Sequence, residues 1–276
     1  MRRSITGYGL ILFARAFYLI FALIPIYWLV KISLTPTKLL FREGIRYFPS
    51  TITLDNFNSV LNISPFPKYF LNSLIVSLGT AIIIVVVGGG IGYALSRFNF
   101  VGKSLVVTFL LVTQLFPIVM MIAPIYRLMA PLHLIDNLFG LIIVYTAFIT
   151  PFAAFLLQSF FDSIPRELEE SAMIDGATRL QALRKIVFPL VLPGLGATIG
   201  FVFTVAWSEL LLALMLINSE GSKTFAVGLL AFVTRFGVDW GQMTAAATIA
   251  LVPVCIFFAI IQRYLVQGLT AGALKG

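Results

Sequence analysis

The chain has 276 residues, of which 60% are hydrophobic and 11% charged, with a mean hydropathy of +1.03 and a formal net charge of +8. Soluble domains are roughly half apolar and about a quarter charged, so a water-soluble fold could not bury this much apolar surface. The composition excludes an ordinary soluble protein and predicts that lipid surrounds most of the chain. The basic residues stand mostly between apolar blocks, which is typical of membrane topology and not of nucleic-acid binding.

Six apolar stretches are long enough to cross a bilayer, which needs about 20 residues per helix. They predict an all-α, polytopic integral membrane protein whose single transmembrane domain covers residues 1–276. The approximate spans are 10–33, 69–94, 104–123, 138–160, 190–217 and 241–262. The first stretch begins like a signal peptide, but Arg15 interrupts it and no small-residue cleavage site follows. We therefore expect a first membrane helix that is kept.

The distribution of positive charge predicts the orientation of these spans. Short loops after the second and fourth spans carry basic residues, at Arg97, Lys103, Arg179, Arg184 and Lys185. Cytoplasmic loops are enriched in Lys and Arg, so both termini are expected on the cytoplasmic side of the membrane. The segments expected inside are 161–189 and 263–276, and those expected outside are 34–68 and 218–240.

Small residues recur at helix-packing spacing in two spans, as Gly88-x-x-x-Gly92 and Gly196-x-x-x-Gly200. A missing side chain lets two helix backbones approach closely. The pattern favours packing between helices of this chain, and an interface with another subunit is the alternative.

Polar and aromatic side chains inside the spans are candidates for a substrate path: Gln114, Tyr145, Trp207 and Glu209. Glu209 is the only acidic residue within the six spans, and an ionisable group in lipid needs a cavity, a partner charge or another subunit. Gln114 precedes Pro117, where a kink can open the helix backbone toward a cavity. Amide groups and aromatic faces suit a sugar, while helix packing is the competing interpretation for each position.

The segment between the fourth and fifth spans predicts two short amphipathic helices with a sharp turn. Ser163 is expected to cap the first helix, and Gly176 to end it in a left-handed conformation. Thr178 and Gln181 have the spacing of a capping box that starts the second helix. Pro189 then marks the bend into the fifth span. A helix pair lying on lipid headgroups is the alternative to a protein-docking element, although an acidic first helix argues against an anionic surface.

This segment resembles the EAA loop of ATP-binding-cassette (ABC) importer permeases, through Glu170-Ser171-Ala172, then Gly176, then Ile186-Val187-Phe188-Pro189. Ser171 and Phe188 depart from the usual Ala and Leu. In that family the loop docks on the ATPase subunit, so the resemblance implies a coupling helix-turn-helix. The residues that it assigns to ATPase coupling are Glu169, Glu170, Ser171, Ala172, Asp175, Gly176, Ala177, Ile186 and Pro189.

The C-terminal segment from Gln262 to Gly276 is similar to the tail of the second permease subunit of maltose-type carbohydrate importers. The resemblance implies contacts of this tail with the ATPase dimer through Gly268, Leu269, Thr270, Gly272 and Lys275. It also implies a carbohydrate substrate, in the first place an oligosaccharide, and an external loop 218–240 that probes a binding protein.

The same resemblance implies the partners: a homologous second permease subunit, two ATPase subunits, an extracytoplasmic solute-binding protein, and membrane lipid. It also implies that the chain lies in the inner (cytoplasmic) membrane of a bacterium or archaeon. ATP and Mg²⁺ are expected on the ATPase subunits, and this chain is expected to bind no cofactor and no metal. Gly102-Lys103-Ser104 matches the end of a phosphate-binding loop, but Arg97 stands where that motif needs its first glycine.

Two other function classes compete. An ion-coupled secondary carrier also uses many apolar helices, but Glu209 would be its only acidic candidate inside the spans. An intramembrane enzyme would need catalytic or metal-binding side chains, and the only histidine, His133, lies outside the predicted spans without an HExxH motif. We therefore expect a non-enzymatic, substrate-translocating subunit with no catalytic residues.

Overall fold

The structure is a computed structural model that describes residues 5–42, 44–235 and 237–273, with side chains described for residues 9–42, 44–235 and 237–262. Within this part, five long helices carry most of the apolar sequence. They are α1 (Ile5–Ser33), α4 (Phe66–Arg97), α7 (Leu138–Asp162), α10 (Phe188–Ser208) and α13 (Trp240–Ala273). Five candidate spans, with mean hydropathies from 2.1 to 2.5, are long and apolar enough to cross a membrane.

Shorter elements connect the long helices. The short α-helices are α2 (Thr37–Leu40), α3 (Asp55–Asn58), α5 (Lys103–Thr113), α6 (Ile118–Met129), α8 (Glu167–Ile174), α9 (Arg179–Ala182), α11 (Leu211–Leu216) and α12 (Phe225–Gly228). Single π or 3₁₀ turns occupy Ser59–Ile63, Ala130–Leu132, Leu183–Val187, Glu220–Ser222 and Leu229–Phe232. Strands β1 (Val233–Thr234) and β2 (Gly237–Val238) pair antiparallel, Val233 with Val238 and Thr234 with Gly237.

The third predicted span, 104–123, is not one continuous helix. It is replaced by α5 and a second helix beginning at Ile118, which are bent by 104° with respect to each other. Pro117 has an extended backbone and lacks an N–H, so it cannot continue the hydrogen-bond ladder of α5. The bent pair counts either as one broken span, which gives six, or as a re-entrant element, which leaves five.

The fifth predicted span, 190–217, is also interrupted. Helix α10 ends at Ser208, and Glu209 takes an extended backbone conformation with φ −70° and ψ 126°. A new helix, α11, then begins at Leu211. The expectation of a single helix is wrong because hydropathy does not detect a break that a polar side chain stabilises from within the apolar run.

Contacts divide the chain into two compact units. One unit comprises Met1–Pro67 and Gly228–Val252, and buried polar groups hold it together. The amide of Asn56 donates 2.9 Å hydrogen bonds to the carbonyls of Ser33 and Thr35. Thr37 donates to the carboxylate of Asp239 over 3.3 Å. These bonds pin the first connecting segment beside the chain that precedes α13.

The other unit comprises Lys68–Val227 and Pro253–Gly276, and it contains the main apolar core. Helices α4 and α7 approach closely at Gly92, where an added Cβ would lie 2.8 Å from the Ala154 carbonyl oxygen. At Gly200, on α10, an added Cβ would lie 2.4 Å from the Ile261 side chain. One glycine of each predicted pair thus serves packing within this chain.

Candidate functional site

The segment 161–189 contains two short helices, α8 and α9, joined by a turn. We call it the coupling segment after its predicted role, which stays a prediction. Helix α8 ends before Gly176, whose φ of +91° lies in the left-handed region. Thr178 caps α9, since its hydroxyl accepts the Gln181 N–H while the Gln181 side chain accepts the Thr178 N–H. The expected cap at Ser163 is wrong. Ser163 follows the last turn of α7, its hydroxyl donates to the Phe160 carbonyl, and α8 begins only at Glu167.

The predicted coupling residues differ in exposure. Those that face solvent are Glu170, Ser171, Asp175, Gly176 and Pro189. Those that are half-buried are Ala172, Ala177 and Ile186. Glu169 is buried, with 4% of its surface exposed. The exposed edge around the Gly176 turn is therefore accessible to a partner protein, whereas the Glu169 carboxylate is directed into the protein.

Glu169 forms a buried ion pair with Arg97, the last residue of α4. The Arg97 Nε lies 2.5 Å from Glu169 Oε1, and the two side chains are 4% and 5% exposed. The Tyr93 hydroxyl donates to Glu169 Oε2 over 2.7 Å, so both carboxylate oxygens are used. A role of Glu169 in coupling stays a prediction, but the contacts of its carboxylate are internal.

Further bonds join the end of α4 to the coupling segment. Arg97 donates through Nη2 to the Ile164 carbonyl over 3.0 Å, and the guanidinium of Arg166 donates to the Ser96 carbonyl. The Ser96 hydroxyl donates to Asp162 over 2.6 Å at the end of α7. Arg97 Nη1 also donates to the Ser96 hydroxyl over 3.2 Å, so each nitrogen of the Arg97 guanidinium has an acceptor.

The structure describes the predicted ATPase-contacting tail only in part. Helix α13 runs to Ala273, so the backbone of Gly268, Leu269, Thr270 and Gly272 is helical. Their side chains, and the whole of Lys275, lie outside the described residues.

Glu209, a candidate for the substrate path, lies between the end of α10 and the start of α11. Its carboxylate accepts the N–H groups of Leu212 at 3.0 Å and Ala213 at 3.2 Å. The buried Tyr145 hydroxyl donates to Glu209 Oε2 over 2.7 Å. Glu209 thus caps the first turn of α11, where backbone N–H groups have no partner within the helix. Sequence inspection missed this capping role because the apolar run conceals the start of α11.

Trp207 lies in an aromatic cluster inside the protein. It is 3% exposed, stacks on Phe203 with ring centroids 5.5 Å apart, and packs on Phe225 at 4.6 Å. Trp207 is not among the residues that line the cavity beside Gln114. A role of Trp207 in a substrate path stays a prediction.

Gln114 lines a cavity of about 300 Å³ at the break between α5 and α6. Its amide donates to the Phe148 carbonyl over 3.3 Å. Phe152 and Phe201 line the same cavity and stack with ring centroids 4.4 Å apart. Sequence inspection missed Phe148, Phe152 and Phe201. The i, i+4 spacing of Phe148 and Phe152 on α7 was the available signal.

The segment 217–225 comprises the end of the fifth predicted span and the start of the loop 218–240 that is expected outside. Polar contacts hold it at two places. Near the start of α4, the Tyr69 hydroxyl donates to Glu220, and the Asn72 amide donates to the carbonyls of Gly221 and Lys223. Hydrogen bonds from Lys223 and then Tyr69 lower the pKa of the Glu220 carboxyl.

The second attachment of this segment is Asp136, which precedes α7. Its carboxylate accepts the backbone N–H groups of Asn218 and Ser219 and the Ser219 hydroxyl. The bond from the Ser219 N–H is the main cause of a lowered Asp136 pKa. Because the bonds favour the ionised form, they are strongest at neutral pH.

Within the described residues, no group of three or more His, Cys, Asp or Glu side chains is placed to hold a metal ion.

Comparison with known proteins identifies a family for this chain. Residues 85–271 match the family described as "Binding-protein-dependent transport system inner membrane component". The chain is 35% identical over 252 residues to the diacetylchitobiose uptake system permease protein DasC of Streptomyces coelicolor, with 91% of each chain covered. It is 37% identical over 258 residues to the trehalose transport system permease protein SugB of Mycobacterium tuberculosis, with 93% of each covered.

Among solved structures, the fold is similar to a chain of a bacterial ABC transporter involved in the import of the acidic polysaccharide alginate. The TM-score is 0.78 at 23% identity, and the match covers 96% of this chain and 98% of that chain. The helical architecture and the sequence matches agree over most of the length. This chain belongs to the family of binding-protein-dependent transport system inner membrane components.

Proposed function

We propose that the chain is the permease subunit of an ATP-binding-cassette importer that moves a carbohydrate, in the first place an oligosaccharide, across the cytoplasmic membrane. The observation that carries this proposal is family membership together with relatives named as permeases for diacetylchitobiose and trehalose. The broken apolar helices and the exposed turn at Gly176 agree with a subunit that moves substrate and receives work from a partner.

The partners in this proposal are a second, homologous permease subunit, two ATPase subunits and an extracytoplasmic solute-binding protein. ATP and Mg²⁺ bind the ATPase subunits, and the coupling segment meets them through its exposed edge at Glu170, Asp175 and Gly176. The C-terminal tail from Gly268 to Lys275 adds a second contact. Both termini then lie in the cytoplasm, with six spans if the bent pair α5 and α6 crosses once.

For the substrate path, the cavity beside Gln114 is the best supported position in this chain. It combines an amide with the stacked rings of Phe152 and Phe201, and sugars bind to amides and aromatic faces. Tyr145 and Glu209, two other candidates for the path, stabilise the break between α10 and α11 through their hydrogen bonds.

An ion-coupled carrier is the less favoured function. It would need a carboxylate that can exchange a proton with the transport path. Glu209, inside the apolar run, instead accepts hydrogen bonds from Leu212, Ala213 and Tyr145. Both oxygens of the Glu209 carboxylate have donors within the protein, so its geometry favours a structural role.

The proposal is tested by purifying the chain with its bound partners from its native membrane in mild detergent. Mass spectrometry of the purified material should find an ATPase and a second permease. Adding the solute-binding protein with its carbohydrate should then stimulate ATP hydrolysis. A chain that purifies alone, with no ATPase activity under any of these conditions, would contradict the proposal.

A further inference from the structure

The buried pair of Arg97 and Glu169 joins helix α4 to helix α8 through their side chains. Arg97 is the last residue of α4, and Glu169 lies in α8, the first helix of the coupling segment. The coupling segment is exposed on its other edge, around Gly176. A buried charge pair at such a junction is not needed for solubility, and an apolar pair would often be as stable. Neither solubility nor stability therefore explains why an ion pair stands at this junction.

The contacts fix the direction of α8 as well as its position. The Arg97 guanidinium bonds Glu169 through Nε and the Ile164 carbonyl through Nη2, at 2.5 and 3.0 Å. Tyr93, one turn earlier on α4, donates to the second Glu169 oxygen. Three hydrogen bonds to two points of the segment resist both sliding and rotation of α8 against the end of α4, because a planar guanidinium holds its donors in a fixed fork.

The far end of α4 is equally well attached. Tyr69 and Asn72 bond the segment 217–225 through Glu220, Gly221 and Lys223. The Ser73 hydroxyl accepts the Phe225 N–H over 2.8 Å. From Tyr69 to Arg97 a continuous helix extends about 40 Å at 1.5 Å per residue. A displacement of α8 that moves α4 as a rigid rod would therefore reach this second segment.

We propose that Arg97 and Glu169 are positioning residues whose buried ion pair makes α4 follow the movement of the coupling helix α8. This rests on the proposed function, since it assumes that an ATPase moves α8. The exposed residues near Gly176 contact the ATPase. Glu169 acts within the chain and passes the resulting movement of α8 to α4. Without the pair, the bonds from Arg97 to Ile164 and from Arg166 to Ser96 remain, but α8 is held less firmly to α4. Helix α8 then moves α4 less, so more ATP is hydrolysed for each sugar transported.

The test compares Glu169→Gln with Glu167→Gln in the complete importer, reconstituted in proteoliposomes with its binding protein and carbohydrate. Glu167 is the matched control, because it lies on the same helix two residues away and is exposed. Glu169→Gln should raise the number of ATP molecules hydrolysed per sugar imported by about tenfold, within the range of typical coupling between sites. Glu167→Gln should leave this ratio within about twofold of the wild type. A wild-type ratio in assembled Glu169→Gln importer would overturn the proposal.

Tyr93→Phe covers the case in which Glu169→Gln does not assemble. It removes one hydrogen bond to the same carboxylate and leaves the charges in place. We expect it to raise the ratio by about threefold, as the loss of one bond predicts. If Glu169→Gln does not assemble and Tyr93→Phe transports with the wild-type ratio, the proposal is wrong.

A second measurement separates this proposal from the importer function itself. Hydrogen–deuterium exchange of the α8 amides, in the purified complex without ATP, should be about tenfold faster in Glu169→Gln than in the wild type or Glu167→Gln. Unchanged exchange would show that the pair does not hold α8, whatever the transport assay gives. A wild-type complex that imports no carbohydrate with ATP would contradict the proposed function instead.

Discussion

The Tyr145 hydroxyl donates a 2.7 Å hydrogen bond to the Glu209 carboxylate, which in turn caps the start of α11. One polar pair therefore stabilises a helix break in the middle of an apolar stretch. In lipid no water replaces a lost partner, so backbone N–H groups at such a break need a group supplied by the protein. The pair explains how this chain keeps an interrupted helix where hydropathy predicts a continuous one.

Replacing Glu209 with Ala should destabilise the chain. The change removes the cap of α11 and leaves the Tyr145 hydroxyl without its acceptor, so we expect a loss of about 1–3 kcal/mol in the free energy of unfolding. Tyr145→Phe, which removes only one of these bonds, should lose about 1 kcal/mol or less. Thermal unfolding of the detergent-solubilised chain measures both, and an unchanged melting temperature for Glu209→Ala would refute the capping role.

The close approach of α4 and α7 makes Gly92 sensitive to any side chain. In Gly92→Ala the new Cβ would meet the Ala154 carbonyl oxygen at 2.8 Å and the Gln158 nitrogen at 2.9 Å, so the two helices must separate. We expect a loss of about 1–3 kcal/mol. Gly90→Ala is the control on the same helix, since nothing lies within 4 Å of its Cβ, and it should be neutral or slightly stabilising. Equal melting temperatures for the two variants would show that α4 and α7 are not in close contact at Gly92.

A side chain at Gly176 should disturb coupling more than stability. Gly176→Val forces a β-branched residue into a left-handed backbone with φ +91°, at a strain of about 1–2 kcal/mol. Gly102→Val imposes a similar strain at φ +88°, outside the coupling segment, and both sites have open space around them. Carbohydrate uptake per assembled complex should fall about tenfold in Gly176→Val and much less in Gly102→Val.

That comparison is made by ATP-driven uptake in proteoliposomes, with the ATPase content of each complex determined on the same sample. Normal uptake by Gly176→Val would count against the turn as the site that receives work from the ATPase. A similar loss of uptake in both variants would mean that the effect comes from backbone strain and is not specific to the Gly176 turn.

The attachment of the segment 217–225 to Asp136 should depend on pH in a defined direction. Its carboxyl has a pKa lowered from 3.8, chiefly by the Ser219 N–H, so ionisation favours the folded state. The stabilisation is complete above 3.8, the value in the unfolded chain, and is lost as the pH falls through the lowered pKa. The melting temperature of the wild type should exceed that of Asp136→Ala by a constant amount between about pH 8 and about pH 5.

The difference should shrink only below that range, as Asp136 takes up its proton. Asp55→Ala, which changes an exposed carboxylate on α3, serves as the control and should melt like the wild type throughout. A difference that already disappears between about pH 7 and about pH 5 would contradict the lowered pKa.

The length of the apolar runs was enough to predict the long helices, because a helix in lipid must satisfy its own backbone and span a fixed thickness. The ends of α7, at Leu138 and Asp162, lie within two residues of the predicted 138–160. Local signals also predicted the Gly176 turn and the Thr178 capping box, which depend only on neighbouring residues.

Features that depend on distant residues were not predicted. Arg97 and Glu169 are 72 positions apart, and nothing in the acidic run of α8 distinguishes Glu169, which turns inward, from Glu170, which faces solvent. The break at Glu209 was missed for the same reason, since its partner Tyr145 is 64 positions away. The cavity beside Gln114 is lined by residues of four helices, α5, α6, α7 and α10, so its aromatic lining depends on how they pack.

The central claim, that this chain translocates a carbohydrate in an ATP-powered importer, is tested most directly by uptake into proteoliposomes. The chain is reconstituted with its co-purified permease, ATPase subunits and binding protein, and radiolabelled carbohydrate is measured with ATP and Mg²⁺ supplied on the ATPase side. We predict uptake that requires hydrolysable ATP and the binding protein and that persists when ionophores abolish all ion gradients. Uptake that needs no ATP and collapses with the ionophores would contradict the account and identify an ion-coupled carrier.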